Sequence, residues 1–512
     1  MEFPRQSGIL LHPTSLPGPY GIGEIGPEAH TFVDALEEMG QQLWQILPIG
    51  PTGESHSPYQ SFSTFAGNPL LISFDLLIED GLLRKNEIKS LPHFSNNRID
   101  FESVVVERKT VMNHVSQHFL ERASDQMLND FKKFCNQHKY WLDDYALYIV
   151  LKGINGNKIW TSWDAKLEHR YPDALQQISE KYGKNIQEIK IHQFLFHDQW
   201  KRLRQYCHRK GIKIIGDLPI YVAHDSADVW ANSELFCLDK KGNLKVQAGV
   251  PPDYFSETGQ LWGNPIYRWN KHHETEYQWW IARVQKLLEM VDIIRIDHFC
   301  GFSRYWEVDI KEVNSKNGKW VEGSGEYIFN SLINKLGPLP IIAEDLGNVT
   351  TEVETLRDKY HFPGMRILQF AFSNDPKADD YRPENYPTNC VVYTGTHDND
   401  TTDGWFNSRP GENSIRSEVE IKEENKTVLE YLKSDGKNIN WDMIKLALFS
   451  RANTAIFPLQ DIMGLDSRAR MNVPGTNGGN NWRWRFSWDM LTPDMKNRMR
   501  ELTVKSKRFD LS

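Results

Sequence analysis

No run of apolar residues in this chain is long enough to cross a bilayer, which excludes a helical membrane protein. Cysteine is scarce: Cys135, Cys207, Cys237, Cys300 and Cys390 are the five among 512 residues, scattered and without a CxxC pair. Neither a disulfide framework nor a zinc site is indicated, and reduced thiols in a reducing compartment are the simplest reading. Charge is not blocked at either end, so no acidic or basic tail is implied. The formal net charge of -8 argues against a nucleic-acid partner. The opening MEFPRQSGILLHPTSLPG lacks the basic start and apolar core of a signal peptide, so a cytoplasmic location is expected. Internal repeats and low-complexity segments are missing as well, and the residues specify no oligomeric state.

What the chain does have is a series of eight short apolar runs: GILLHPTSL, LWQILPIGP, IKIIGDLPIYV, VDIIRIDHF, PIIAEDLG, GMRILQFAF, VVYTGTHDN and TAIFPLQDI. Nearly all end in or near Gly, Pro, Asp or His. Helical patterns lie between several of them, such as EAHTFVDALEEMG, YQWWIARVQKLLEMV and ETLRDKYHF. This alternation predicts an α/β fold with a parallel sheet, and eight strands predict closure into a (β/α)8 TIM barrel. Two gaps are too long for a plain barrel. The first predicts a helical insertion after strand 2. The second, rich in Pro, Gly and aromatics (QAGVPPDYFSETGQLWGNPIYRW), predicts a long lid-like insertion after strand 3. The expected organisation is thus 1–74 for the start of the barrel with a substrate loop, 75–210 for a mostly helical insertion, and 211–512 for the rest of the barrel, with a lid loop at 249–264.

Three of the runs stop at an acid: Asp297 ends IIRID, Glu344 ends PIIAE, and Asp398 follows VVYTGTH. Acids at the C-terminal ends of barrel strands occupy the catalytic face of such a fold, and a carboxyl pair flanking a bond is the machinery of glycoside chemistry. Arg295 and Asp297 lie two apart on a strand and share a face, so the guanidinium is expected to lower the carboxyl pKa and keep Asp297 ionised, as a nucleophile requires. Glu344 sits after Pro340, Ile341, Ile342 and Ala343 and before Asp345. Apolar surroundings and an adjacent acid raise its pKa, which suits a general acid and base. Asp345 is expected to cap the following helix. Asp398 is left for sugar hydroxyls as the ring distorts, with His298 and His397 as further hydrogen-bond partners. A metal-hydrolase cluster of Asp217, Asp297, His298, Glu344, His397 and Asp398 is the rival reading; no H-x-H or HExxH spacing supports it. Several aromatics, Tyr59, Tyr254, Phe255 and Trp262, fall in loop sequence where core packing explains them poorly. Aromatic faces accept the C–H patches of sugars, so these suggest a glucan-binding surface.

The motifs GILLHPTSLPGPYGIG, HSPYQSFSTFAGNP, GDLPIYVAHDSADVWAN, GVPPDYFSETGQLWGNP, RIDHF, AEDLG, THDN and RMNVPGT…NNWRWR resemble those of the 4-alpha-glucanotransferase family (amylomaltase, or disproportionating enzyme), a relative of the alpha-amylases. The resemblance runs from about Ser7 to Arg485 and is weak across the charged insertion. It implies Asp297 as nucleophile, Glu344 as acid/base and Asp398 as transition-state stabiliser. It further implies substrate contacts from Asp217, Arg295, His298 and His397 near the cleaved bond, from Tyr59, Tyr254, Phe255, Gln260 and Trp262 further out, and from Asn472. Asp217 is followed by Leu218-Pro219 rather than the Asn-His pair of the wider amylase group, so no structural calcium is expected there. No cofactor or metal is implied. The expected partners are maltodextrin or other α-1,4-glucan donors and acceptors. Hydrolysis of the same linkage, or glucan binding without chemistry, are the alternatives.

Overall fold

The structure, a computed structural model, describes residues 3–252, 257–347, 349–411, 416–476 and 478–509. Its strands in chain order are β1 (Gln6–Leu10), β2 (Leu43–Gln45), β3 (Lys213–Pro219), β4 (Val246–Val250), β5 (Gln260–Pro265), β6 (Ile293–Asp297), β7 (Arg304–Asp309), β8 (Lys319–Glu322), β9 (Ile341–Ala343), β10 (Gly364–Ile367), β11 (Cys390–Tyr393) and β12 (Thr454–Pro458). Eight of these close into a barrel in the order β1-β12-β11-β10-β9-β6-β3-β2, and every described pairing within it is parallel. The barrel strands are the eight apolar runs of the sequence. Their residues are buried on both faces, as in Ile293, Ile294, Ile341, Ile342, Val391 and Val392, so the runs are continuous rather than alternating.

Helices cover the barrel. The first (Pro27–Glu38) begins with Pro at its first turn, where the missing N–H costs nothing, and buries Phe32, Val33 and Leu36. Phe32 meets Trp44 of β2 edge to face at 5.1 Å. Between β2 and β3 the chain is mostly helical, with long members at Phe101–Arg122, Lys139–Ile154 and Gly183–Arg209. The last of these also serves the barrel: Trp200 donates to the Met290 carbonyl, and Gln193 and Gln199 bond both backbone polar groups of Gly67 and Ser73. Those paired amides fix the end of the HSPYQSFSTFAGNP segment at Gly67 and the chain just beyond it at Ser73. Gly67 is required there, since an added Cβ would lie 1.9 Å from the Phe196 ring.

The stretch expected as a lid loop at 249–264 lies partly in strands in its described part. β4 and β5 are strands of a second, antiparallel sheet in the order β5-β4-β7-β8. Its other half comes from beyond β6, with Gly249 opposite Trp306 and Trp306 opposite Trp320. Short Gly- and Pro-containing strands paired with distant sequence leave no local period to read. Among the described residues no helix is long and apolar enough to cross a membrane.

Candidate active site

Strand β6 delivers Arg295 and Asp297 to the C-terminal face of the barrel. The parallel register sets Asp217 of β3 beside Arg295, and one guanidinium nitrogen serves both neighbours. Nη1 of Arg295 donates to the two oxygens of Asp217 at 2.8 and 2.7 Å and to Oδ1 of Asp297 at 3.1 Å. The Asp217 side chain is fully buried, whereas that of Asp297 keeps 28% exposure. Immediately after Asp297 the backbone of His298 turns into the left-handed region (φ 53°), unusual for a residue with a side chain. That turn aims the His298 N–H at Oε2 of Glu344, 2.6 Å away.

Glu344 is held at four points. Its N–H donates to the Ile296 carbonyl and its own carbonyl accepts from Phe299, each at 3.0 Å, which ties β9 to the end of β6. Besides the bond from His298, its Oε1 accepts from the Leu346 N–H at 3.0 Å. Asp345 turns the other way. It accepts from Met365 N–H at 2.7 Å and pairs with Arg357, so it fastens β9 to β10 instead of capping the helix at Thr351–Lys359.

Asp398 stands in a turn built by Thr396 and Asn399, whose side chain accepts from both Thr396 N–H and Oγ1. Asn472, remote in sequence, donates to Asp398 Oδ1 at 2.6 Å, and its N–H bonds the His397 carbonyl. Arg470 donates to the Asp398 carbonyl at 2.6 Å. On the other flank the Tyr59 hydroxyl lies 2.7 Å from Asp217 Oδ2 and 2.9 Å from His397 Nε2. Tyr59 and His397 also stack, 5.4 Å apart and 12° from parallel.

Electrostatics revise one expectation. Burial pushes Asp297 well above the usual carboxylate range; Arg295 opposes this, and Asp217, Glu344 and Asp398 add to the rise. Arg295 does pull Asp297 down, as the sequence suggested, but its single charge is shared with Asp217 and outweighed by desolvation, so the net shift is upward. Glu344 is raised too, first by burial and then by Asp345, against the pull of Arg295 and its two N–H donors. Two buried carboxyls raised together, with Glu344 adding to the rise of Asp297, titrate as a pair. His298 is pushed down to about 4 by burial and stays neutral.

Asp297, Glu344 and Asp398 open onto one cleft of about 640 Å3. Tyr59, Gln260, Trp262, Arg295, His298 and Asn472 also border it. Trp262 meets the His298 ring at a right angle, 4.9 Å away. Asp217 and His397 sit behind the wall, bonded to residues that form it. Tyr254 and Phe255 lie outside the described residues. The bordering residues that carried no role from the sequence include Gln60, Trp320, Phe370 and Trp482. Trp482 belongs to the NNWRWR motif and lies 6.0 Å from both Tyr59 and His397. Trp320 had no signal, since it reaches the cleft through the β7–β8 pairing alone. Among the described residues no three His, Cys, Asp or Glu side chains converge where a metal ion would sit.

Similarity to known proteins agrees with this geometry. Residues 11–492 match the family model described as 4-alpha-glucanotransferase. A Synechocystis 4-alpha-glucanotransferase is 46% identical over 95% of each chain. One from Thermus thermophilus is 42% identical over 99% of this chain and 100% of its own. The solved amylomaltase from Streptococcus agalactiae in complex with acarbose superposes with a TM-score of 0.92 at 37% identity, covering 99% of this chain and 100% of that one. A barrel whose strand ends gather three carboxylates in one cleft, matched over nearly its whole length by such relatives, places this chain in the 4-alpha-glucanotransferase family.

Proposed function

We propose that this protein is a retaining 4-alpha-glucanotransferase in which Asp297 is the nucleophile, Glu344 the acid and base, and Asp398 the group that holds the distorted sugar. The observation that carries the reading is the pair of carboxyls on adjoining strand ends, Asp297 touching a guanidinium and Glu344 touching none, both open to one cleft. The mechanism needs one proton on the pair, and the guanidinium against Asp297 favours the arrangement with the charge there and the proton on Glu344.

A carboxylate oxygen of Asp297 attacks the anomeric carbon of an α-1,4-glucan. The glycosidic C–O bond breaks, and Glu344 gives its proton to the leaving 4-oxygen. A β-linked glucosyl ester on Asp297 remains. The 4-hydroxyl of a second glucan then gives its proton to the Glu344 carboxylate and attacks the same carbon. The ester breaks, Asp297 is released, and an α-1,4 bond forms again; two inversions give retention. Asp398, fixed by Asn472, takes hydroxyl hydrogens of the ring as it flattens. Trp262, Tyr59 and Trp482 offer aromatic faces to the sugar along the cleft. Maltodextrins or longer α-1,4-glucans serve as donor and acceptor, and the five free thiols fit a cytoplasmic enzyme.

Incubation with maltotriose tests the reaction. Glucose together with a ladder of longer dextrins is the expected product pattern. Maltose and glucose alone, with nothing longer than the substrate, would mean hydrolysis. Asp297→Asn is expected to abolish both, and unaltered turnover would remove the nucleophile assignment.

A further inference from the structure

A second cavity, of about 290 Å3, lies behind the segment that carries Tyr59. Ser57, Tyr59 and Gln60 border the catalytic cleft, whereas Ser63 and Phe65 border this cavity, and the two linings share no residue. Its base is aromatic. Phe65 is packed between Trp141, nearly parallel at 6.4 Å, and Trp279, perpendicular at 6.3 Å. Above them Tyr140 meets Phe65 at 89° and 5.9 Å and remains 54% exposed. An aromatic that open, recessed against other rings, is poorly explained by core packing.

The walls are polar: Asp144, Asn232, Glu234 and Gln278 supply carboxylate and amide groups, and among the described residues neither Lys nor Arg lines the space. Phosphate or another anion would find acceptors and no cation. A neutral molecule with apolar C–H faces and a rim of hydroxyls meets both kinds of wall. The volume is at the lower end for small-ligand sites (about 300–1,000 Å3), room for about one or two sugar rings.

We propose that this cavity is a second, non-catalytic binding site for α-glucan chains, with Tyr140 as its stacking platform. The inference rests on the transferase reading of the main cleft, which supplies the ligand class. A branched or long glucan held here keeps its other chain ends at raised effective concentration beside the cleft, because both sites flank one short segment. Short dextrins that cannot span the two sites gain nothing from it.

The test uses the full chain in native gels containing glycogen, alongside maltotriose turnover. Tyr140→Ala is expected to weaken glycogen retardation about threefold to tenfold, the worth of one aromatic contact, while maltotriose turnover stays at the wild-type rate. Tyr140→Phe keeps the ring and is expected to retain full retardation. Glu234→Arg, at an exposed wall position, projects a long side chain at the cavity and is expected to weaken retardation with no loss of thermal stability. Wild-type retardation in both Tyr140→Ala and Glu234→Arg overturns the second site. A wild-type protein that does not disproportionate maltotriose overturns the transferase reading instead, so the two failures are told apart.

Discussion

Replacing Arg295 by Met separates the two tasks of that guanidinium. It is 4% exposed and bonds Asp217 through two oxygens and Asp297 through one. An opposite charge at such distance lowers a carboxyl pKa by about 1–3 units, so its loss lets Asp297 rise further by about that much. The proposed nucleophilic role needs Asp297 ionised, so the acid limb of the pH profile of kcat/KM is expected to move to higher pH by about 1–3 units. Below that limb, each unit costs about tenfold in rate. Stability suffers for a different reason. Asp217 has no exposed side-chain surface and, among the described residues, its side chain would keep Tyr59 alone as a hydrogen-bond partner, and breaking a buried ion pair costs about 3–5 kcal/mol. The double variant Asp217→Asn/Arg295→Met removes the stranded charge. It is expected to recover most of the stability and part of the acid limb, because Asp217 itself raises Asp297. Glucose release from maltotriose between pH 4.5 and 9, with thermal unfolding of each variant, measures both effects. A wild-type acid limb in Arg295→Met, or a double variant no more stable than the single one, refutes the argument.

Other expectations follow from single contacts. Glu344→Gln lowers kcat by about 100- to 10,000-fold with little change in KM, the usual worth of a positioned proton donor, as steady-state kinetics on maltotriose will show. Asn472→Ala removes the 2.6 Å bond to Asp398 and is expected to lower kcat by about tenfold, whereas Asn472→Asp, which sets two acids together, is worse. Trp320→Ala, at the far wall of the cleft, raises KM for long dextrins by several-fold and leaves maltotriose nearly unaffected, read from kinetics over a series of chain lengths. Burial depresses His12 to about 3 and His138, His192, His272 and His298 to about 4, below the unfolded value of about 6.5. The unfolded chain therefore binds more protons between those limits, so stability falls as pH drops from about 6.5 towards 4. Thermal unfolding at pH 7 and pH 5 should show a clearly lower midpoint at the acid value.

Much of the fold is legible because a barrel strand is buried on both faces. Such a strand must be a short, continuous apolar run, and all eight runs were visible on that ground alone. The antiparallel sheet of β4, β5, β7 and β8 was not. Its strands are short, β4 and β5 carry Gly or Pro, and the pairing of β4 with β7 joins segments from either side of β6. The same cause hid Trp320, which owes its place at the cleft to that pairing. Asp345 was misread because its partners, Met365 and Arg357, are decided by how β9 meets β10 and not by the helix that follows it in sequence.

The sequence by itself determined which residue types stand at the strand ends, since backbone alternation and apolar runs are local properties. Asp297, Glu344 and Asp398 could be picked out without coordinates for that reason. Only the tertiary structure decided how one guanidinium is divided. Arg295 spends most of its charge on Asp217, brought in from β3, and burial then outweighs what is left for Asp297. The direction of a pKa depends on every charge and every water excluded around the group, and for Asp297 those charges come from segments as far apart in sequence as Asp217 and Asp398.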